Sequence, residues 1–179
     1  MEVRNPGATP PERILAPGHA FEAFEWRAVT EEGADWVMEM EITPRVVNSL
    51  GALQGGLLAT LIDSVGGMAL LSEGLSGPRH VTSELQISFA AAARVGPVRA
   101  VAHVLHRGRR SAVVRVDVRD VGADDLFVAT GTLRFALMSG DAAESAVASG
   151  AERASDGPAE RASDGAAGGA GRGADTAAS

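Results

Sequence analysis

The chain has 179 residues and a formal net charge of −7 at neutral pH, long enough for one domain with a sizeable core. That acidic balance argues against a nucleic-acid partner, because phosphate contacts need a basic face. The sequence holds no cysteine, lysine or tyrosine, which excludes disulfides, thiolate metal sites, a cysteine nucleophile, Schiff-base chemistry and tyrosine acid catalysis.

In chain order, residues 1–18 carry Pro6, Pro10, Pro11 and Pro17 and read as an irregular arm. No apolar signal region is evident there, so the expected location is cytoplasmic. A main domain is expected over 19–139. It begins with a short turn carrying Phe21 and Phe24, then a strand at 26–30 and a turn at Glu31-Glu32-Gly33-Ala34. Residues 36–42 alternate, with Met38, Met40 and Ile42 on one side and Glu39 and Glu41 on the other, which predicts a strand. Pro44 ends it, and a loop over 44–53 leads into a nearly all-apolar segment at 55–71.

That segment predicts a buried helix with one acid, Asp63, in its middle. Gly56, Ala59 or Thr60, Asp63, and Gly66 or Gly67 share one face, a strip of small residues around a single carboxylate. Adjacent glycines inside a helix point to something packed close to the backbone. The run falls short of the roughly 20 residues of a membrane span and is broken by Gln54, Thr60, Asp63 and Ser64, so no span is expected.

A Gly/Pro connection follows at 73–79. Strands are then expected at 80–91, 98–107, 111–120 and 126–138, joined by the short turns Gly96-Pro97, Gly108-Arg109-Arg110 and residues 121–125. In the first of these, simple alternation puts Val81, Ser83, Leu85, Ile87 and Phe89 on one face and Thr82, Glu84, Gln86 and Ser88 on the other. Short turns between consecutive strands imply an antiparallel sheet, and one long apolar helix implies that the sheet curls around it. From about residue 140 the composition turns to Ala, Gly, Ser, Asp, Glu and Arg, and Glu-Arg-Ala-Ser-Asp-Gly occurs at 152–157 and again at 160–165. Residues 140–179 read as a disordered tail.

Few residues remain that carry chemistry. No serine-hydrolase elbow or dinucleotide loop is present. No metal site is evident, because His103 and His106 are an odd number apart on a strand and so point to opposite faces, while His19 and His80 are isolated. That leaves Asp63 and the helix start. The first N–H groups of a helix lack internal partners and sit at its positive end. Gly55 and Gly56 let a substrate carbonyl approach them, an oxyanion-stabilising arrangement with Asp63 as base or nucleophile. Gly55 and Asp63 are roughly 12 Å apart along the helix axis. One carbonyl cannot meet both in a single chain, so two antiparallel copies related by a two-fold axis are expected to share two sites.

The pattern Asn48…Gly51…Gln54-Gly55-Gly56…Asp63 resembles the signature of hotdog-fold acyl-CoA thioesterases of the phenylacetyl-CoA thioesterase (PaaI) type, over about residues 20–138. The resemblance implies an α+β hotdog fold, an antiparallel sheet of about five to six strands wrapped around one long central helix. It implies hydrolysis of a small, medium-chain or aromatic acyl-CoA, with no metal or cofactor, by a homo-oligomer that is a dimer or a dimer of dimers. Gly55 would donate its N–H to the thioester carbonyl. Asp63 of the partner would activate water or attack, Asn48 would help hold the nucleophile, and Thr82 would assist the water. Gly56 and Ser83 join Thr82 as candidate substrate-binding residues, with Arg109 and Arg110 at their hairpin turn as candidate contacts for the phosphates of coenzyme A. The acyl chain is expected beside Leu57, Leu61 and Phe89. Family members commonly have His where this chain has Gln54, which hydrogen-bonds but does not titrate near neutral pH. The competing readings are a non-catalytic acyl-CoA-binding module and a hotdog hydratase or dehydratase. The hydratase reading wants an acid–His pair.

Overall fold

The computed structural model describes residues 24–71 and 79–138, all within one compact unit, Met1–Ala143. The expectations for the arm at 1–18, for most of the connection after the helix and for the tail at 140–179 lie outside the described residues. The elements are β1 (Trp26–Val29), β2 (Trp36–Met40), α1 (Gly55–Leu71), β3 (Arg79–Phe89), β4 (Val98–Arg107), β5 (Ser111–Asp120) and β6 (Leu126–Met138), with a 3-10 turn at Val121–Ala123. The six strands form one antiparallel sheet in the order β1-β2-β4-β5-β6-β3. One long helix lies against one face of that sheet, which is the hotdog arrangement. Among the described residues no helix is long and apolar enough to cross a membrane.

Helix and sheet meet through alternate strand residues. Leu58, Leu61, Ile62, Val65, Ala69 and Leu70 of α1 are buried against inward residues such as Met40, Ala100, Val114, Val116, Leu133 and Phe135. Small residues set how close the layers come. A Cβ at Gly131 would stand 2.5 Å from Cγ2 of Ile62, and one at Gly66 would stand 3.1 Å from Leu133. The helix therefore lies almost on the backbone of β6 at these crossings. Leu61 is fully sealed in this core, so the acyl lining expected beside it narrows to Leu57 and Phe89.

Register shifts interrupt the pairing at Thr82/Glu84, Val104/His106 and Val118/Arg119. Each extra residue turns the strand's faces over beyond it. The second shift corrects one expectation. His103 pairs with Arg115 and His106 with Val113, so both histidines lie on the same face, the one away from the helix. Among the described residues no group of three or more His, Cys, Asp or Glu is placed to hold a metal ion.

At the far end of β5, the buried Asp120 carboxylate accepts hydrogen bonds from the N–H groups of Arg94 (2.8 Å), Val95 (3.0 Å) and Gly96 (2.7 Å). Burial alone would push its pKa up, but these backbone donors and that of Ala123 outweigh burial and hold it below the usual carboxylate value. The stabilisation is therefore present above the unfolded pKa and is lost as pH falls through the folded one. Asp120→Ala, which takes the acceptor from these part-buried donors, is expected to cost about 1–3 kcal/mol in urea unfolding at neutral pH, with the difference from wild type shrinking toward pH 3.

Candidate active site

The site grows from the loop before α1. Asn48 Oδ1 accepts the N–H groups of Leu50 (2.9 Å) and Ala52 (3.2 Å), a local clasp that the short amide side chain favours. Gly51 sits at φ +69, a conformation that suits glycine. The Arg94 guanidinium caps the same turn by donating to the Leu50 carbonyl. Gln54 N–H donates to the Val46 carbonyl at 2.9 Å, which fixes where the helix starts. The Gln54 carbonyl then accepts Leu57 N–H (3.0 Å) and Leu58 N–H (3.1 Å). Gln54 is thus the N-cap, and the N–H groups of Gly55 and Gly56 have no acceptor among the described residues. A Cβ at Gly56 would meet nothing within 4 Å, and one at Gly55 would lie 3.7 Å from the Phe89 ring. The positive helix end is open at Gly56 and walled by Phe89 at Gly55.

Two helical turns on, Asp63 is half-buried, and its Oδ1 accepts the hydroxyl of Thr82 at 2.8 Å. The β3 bulge makes this contact. Thr82 pairs with Phe135, but Glu84 pairs with Arg134 and Leu85 with Leu133. Thr82 therefore shares the helix-facing side with Leu85, Ile87 and Phe89, in place of the simple alternation expected from the sequence. Ser83 is the extra residue, and its hydroxyl donates to the Arg134 carbonyl at 3.0 Å.

One residue missed by sequence reasoning stands here. His80 pairs with Leu137, on the same side of β3 as Thr82. Its Nε2 lies 3.4 Å from where a Cβ of Gly67 would be, and Gly67 is one helical turn beyond Asp63. Its ring meets Phe135 edge-on at 5.3 Å. Burial and the charge of Arg107 lower the His80 pKa from its ordinary value, and Asp63 partly opposes them. The small-residue strip around Asp63 was the available signal. Gly66 makes room for Leu133 and Gly67 for His80.

The candidate residues therefore fall into two groups. Asn48, Gln54, Gly55 and Gly56 gather at the helix start. Asp63, Thr82 and His80 gather beside its middle. The groups stand roughly 12 Å apart along one helix. Gln54 and Asn48 are exposed, and the Asn48 side-chain oxygen is occupied in bracing the loop. Arg109 and Arg110 are exposed at the β4–β5 turn, where the Arg110 carbonyl accepts Leu137 N–H at 2.9 Å. Chemically, one group offers two N–H donors to an oxyanion and the other offers a carboxylate beside a hydroxyl and an imidazole.

The chain is similar to several known proteins. Residues 50–126 match the family described as the Thioesterase superfamily. The mouse acyl-coenzyme A thioesterase 13 is 35% identical over 83 residues, which cover 46% of this chain and 59% of that protein. The chain thus spans little more than half the length of the curated relatives it matches first. A solved structure of a conserved protein from Pseudomonas aeruginosa is 32% identical with a TM-score of 0.62, covering 72% of this chain and 99% of that one. A Bacillus halodurans protein solved with CoA is 33% identical with a TM-score of 0.52, covering 57% of this chain and 66% of that one.

Proposed function

The chain belongs to the thioesterase superfamily, and from that premise we propose that it hydrolyses acyl-CoA thioesters at two sites shared between paired copies of itself. The observation that carries the reading is that Asp63 and Gly55 of the helix lie beside opposite ends of β3. That strand lies at the edge of the sheet, and its apolar residues are uncovered, with Val81 51%, Leu85 38% and Phe89 57% exposed. A long apolar edge is a place for another strand. Within one chain Asp63 lies by the Thr82 end of β3 and Gly55 by its Phe89 end. Two β3 strands paired antiparallel would set the Phe89 end of one beside the Thr82 end of its partner. Each two-fold-related site would then combine Gly55 of one chain with Asp63 of the other. A further pairing of dimers into tetramers is compatible with this arrangement.

In this reading the thioester carbonyl oxygen accepts the N–H of Gly55, with Gly56 leaving the approach clear. Asp63 of the opposite chain takes a proton from water as the water oxygen bonds to the carbonyl carbon. The charge that develops on the carbonyl oxygen is held by the helix start. Collapse breaks the C–S bond, the acid product forms, and coenzyme A leaves as a thiolate that takes its proton from solvent. A thiolate leaves well enough that Gln54 need not titrate. Thr82 fixes one oxygen of Asp63 and leaves the other for water. Arg109 and Arg110 are our candidates for the coenzyme A phosphates, with Ser83 holding the strand between them and the site. The acyl group, small, medium-chain or aromatic, would lie beside Leu57 and Phe89.

The binding-module reading predicts affinity without turnover. The hydratase reading gains one observation, the imidazole of His80 near Asp63. A panel of acyl-CoAs from acetyl to dodecanoyl, with phenylacetyl-CoA and a 2-enoyl-CoA, separates the three. The chain has no cysteine to consume a thiol reagent. We expect thiol release from at least one saturated or aromatic substrate, and no loss of the enoyl absorbance ahead of thiol release. Binding without release across the panel would overturn the reading, as would hydration of the enoyl substrate alone.

A further inference from the structure

Resting on the thioesterase reading, we propose that His80 is a positioning residue of the site, its imidazole controlling how readily Asp63 takes a proton from water. The first support is geometric. His80 and Thr82 stand on the same side of β3; Thr82 meets Asp63 itself and His80 meets Gly67, one helical turn beyond it on the same face. The ring lies against the helix at Gly67, with Nε2 3.4 Å from where a Cβ would stand, so Nε2 comes close to the helix one turn beyond the acid. The ring is flanked by the edge-on Phe135 ring on one side and by Gly67 of the helix on another.

The second support is the charge arrangement. Among the described residues, the charged groups acting on His80 come from two elements, Asp63 on α1 and Arg107 on β4. Phe135 on β6 offers only a ring edge, and Thr82 on its own strand is neutral. Asp63 favours the imidazolium, while burial and Arg107 together disfavour it and prevail. The working form therefore pairs a carboxylate with a neutral imidazole. Gln54 does not titrate, and His103 and His106 lie on the far face of the sheet. His80 is then the imidazole through which mild acid reaches Asp63. When it protonates, the new cation beside Asp63 lowers the affinity of the carboxylate for a proton, and the base weakens.

The test is a pair of pH experiments. In the first, kcat/KM of wild type and His80→Gln is followed from about pH 8 to about pH 5. Wild type should lose about tenfold or more across an acid limb below the ordinary histidine value. His80→Gln should keep its activity within about threefold of its own plateau over the same range, since the imidazole is gone. An unchanged acid limb would overturn the proposal. In the second, the imidazole C–H resonances of wild type and Asp63→Asn are titrated by NMR, with His80 assigned by substituting the other three histidines in turn. Loss of the carboxylate should move the His80 midpoint down by about one unit or more, because the coupling is reciprocal and a tenfold weaker base needs at least that much. Coincident midpoints would also overturn it. This measurement needs no turnover and no His80 variant. If wild type hydrolyses no acyl-CoA while the His80 midpoint still moves, the thioesterase reading has failed and the coupling of His80 to Asp63 has not.

Discussion

Asp63→Asn is expected to lower kcat/KM for the best acyl-CoA by about 10³-fold or more, with the fold and the dimer intact. A positioned general base contributes about 10²–10⁴-fold, and the amide has no basicity to replace it. The loss corresponds to about 4 kcal/mol of transition-state stabilisation. The structure gives a reason to expect a folded variant. Asp63 is half-buried and accepts a hydrogen bond from the Thr82 hydroxyl, which an Asn oxygen can accept in the same place. Unfolding midpoint and elution volume should match wild type while thiol release falls to the background. A folded Asp63→Asn retaining more than about a tenth of wild-type activity would remove the carboxylate from the mechanism, and with it the reason for pairing this helix with another. KM should move little, because the acid meets the attacking water and not the bound coenzyme.

The architecture was legible because its signals are local. A nearly all-apolar run that opens on two glycines reads as a buried helix, and Gly55–Leu71 is that helix. The strands Val98–Arg107, Ser111–Asp120 and Leu126–Met138 lie where the turns at Gly96-Pro97, Gly108-Arg109 and residues 121–125 bound them. What was not legible is the consequence of a single extra residue. The bulge between Thr82 and Glu84 leaves the alternating pattern of β3 looking regular, yet it reverses which side Thr82 occupies. The same device between Val104 and His106 brings His103 and His106 to one face. Period-two reasoning fails at such points because a bulge is decided by the partner strand and the curl of the sheet. His80 was overlooked for a related reason. A histidine thirteen positions from Gly67 in sequence becomes its neighbour only when β3 folds back along the helix. The two glycines flagged a close approach, but not that Leu133 would take one and an imidazole the other.

Mixing two inactive chains is expected to restore about a quarter of wild-type activity, the largest qualitative change that the shared-site reading makes. One parent is Asp63→Asn. The other is Gly55→Pro. Gln54 is the N-cap, so Gly55 is the first helical position, where proline is well tolerated and removes only an N–H that the helix does not use. Deleting one oxyanion donor should cost about 10²–10³-fold. In a heterodimer the Asp63→Asn chain brings an intact Gly55 to the intact Asp63 of the other chain, and one site is whole. The second site carries both defects. Random pairing of equal amounts makes half the dimers mixed, with one working site of two in each, hence about a quarter. If each site drew both groups from one chain, every site in the mixture would keep a single defect, and activity would stay at the level of the parents however the chains paired. Co-expression with two affinity tags isolates the mixed dimer, which should reach about half of wild-type activity per dimer. The comparison is independent of which acyl group the protein prefers, because it asks only whether a carbonyl held at one helix start is attacked from beside the middle of another.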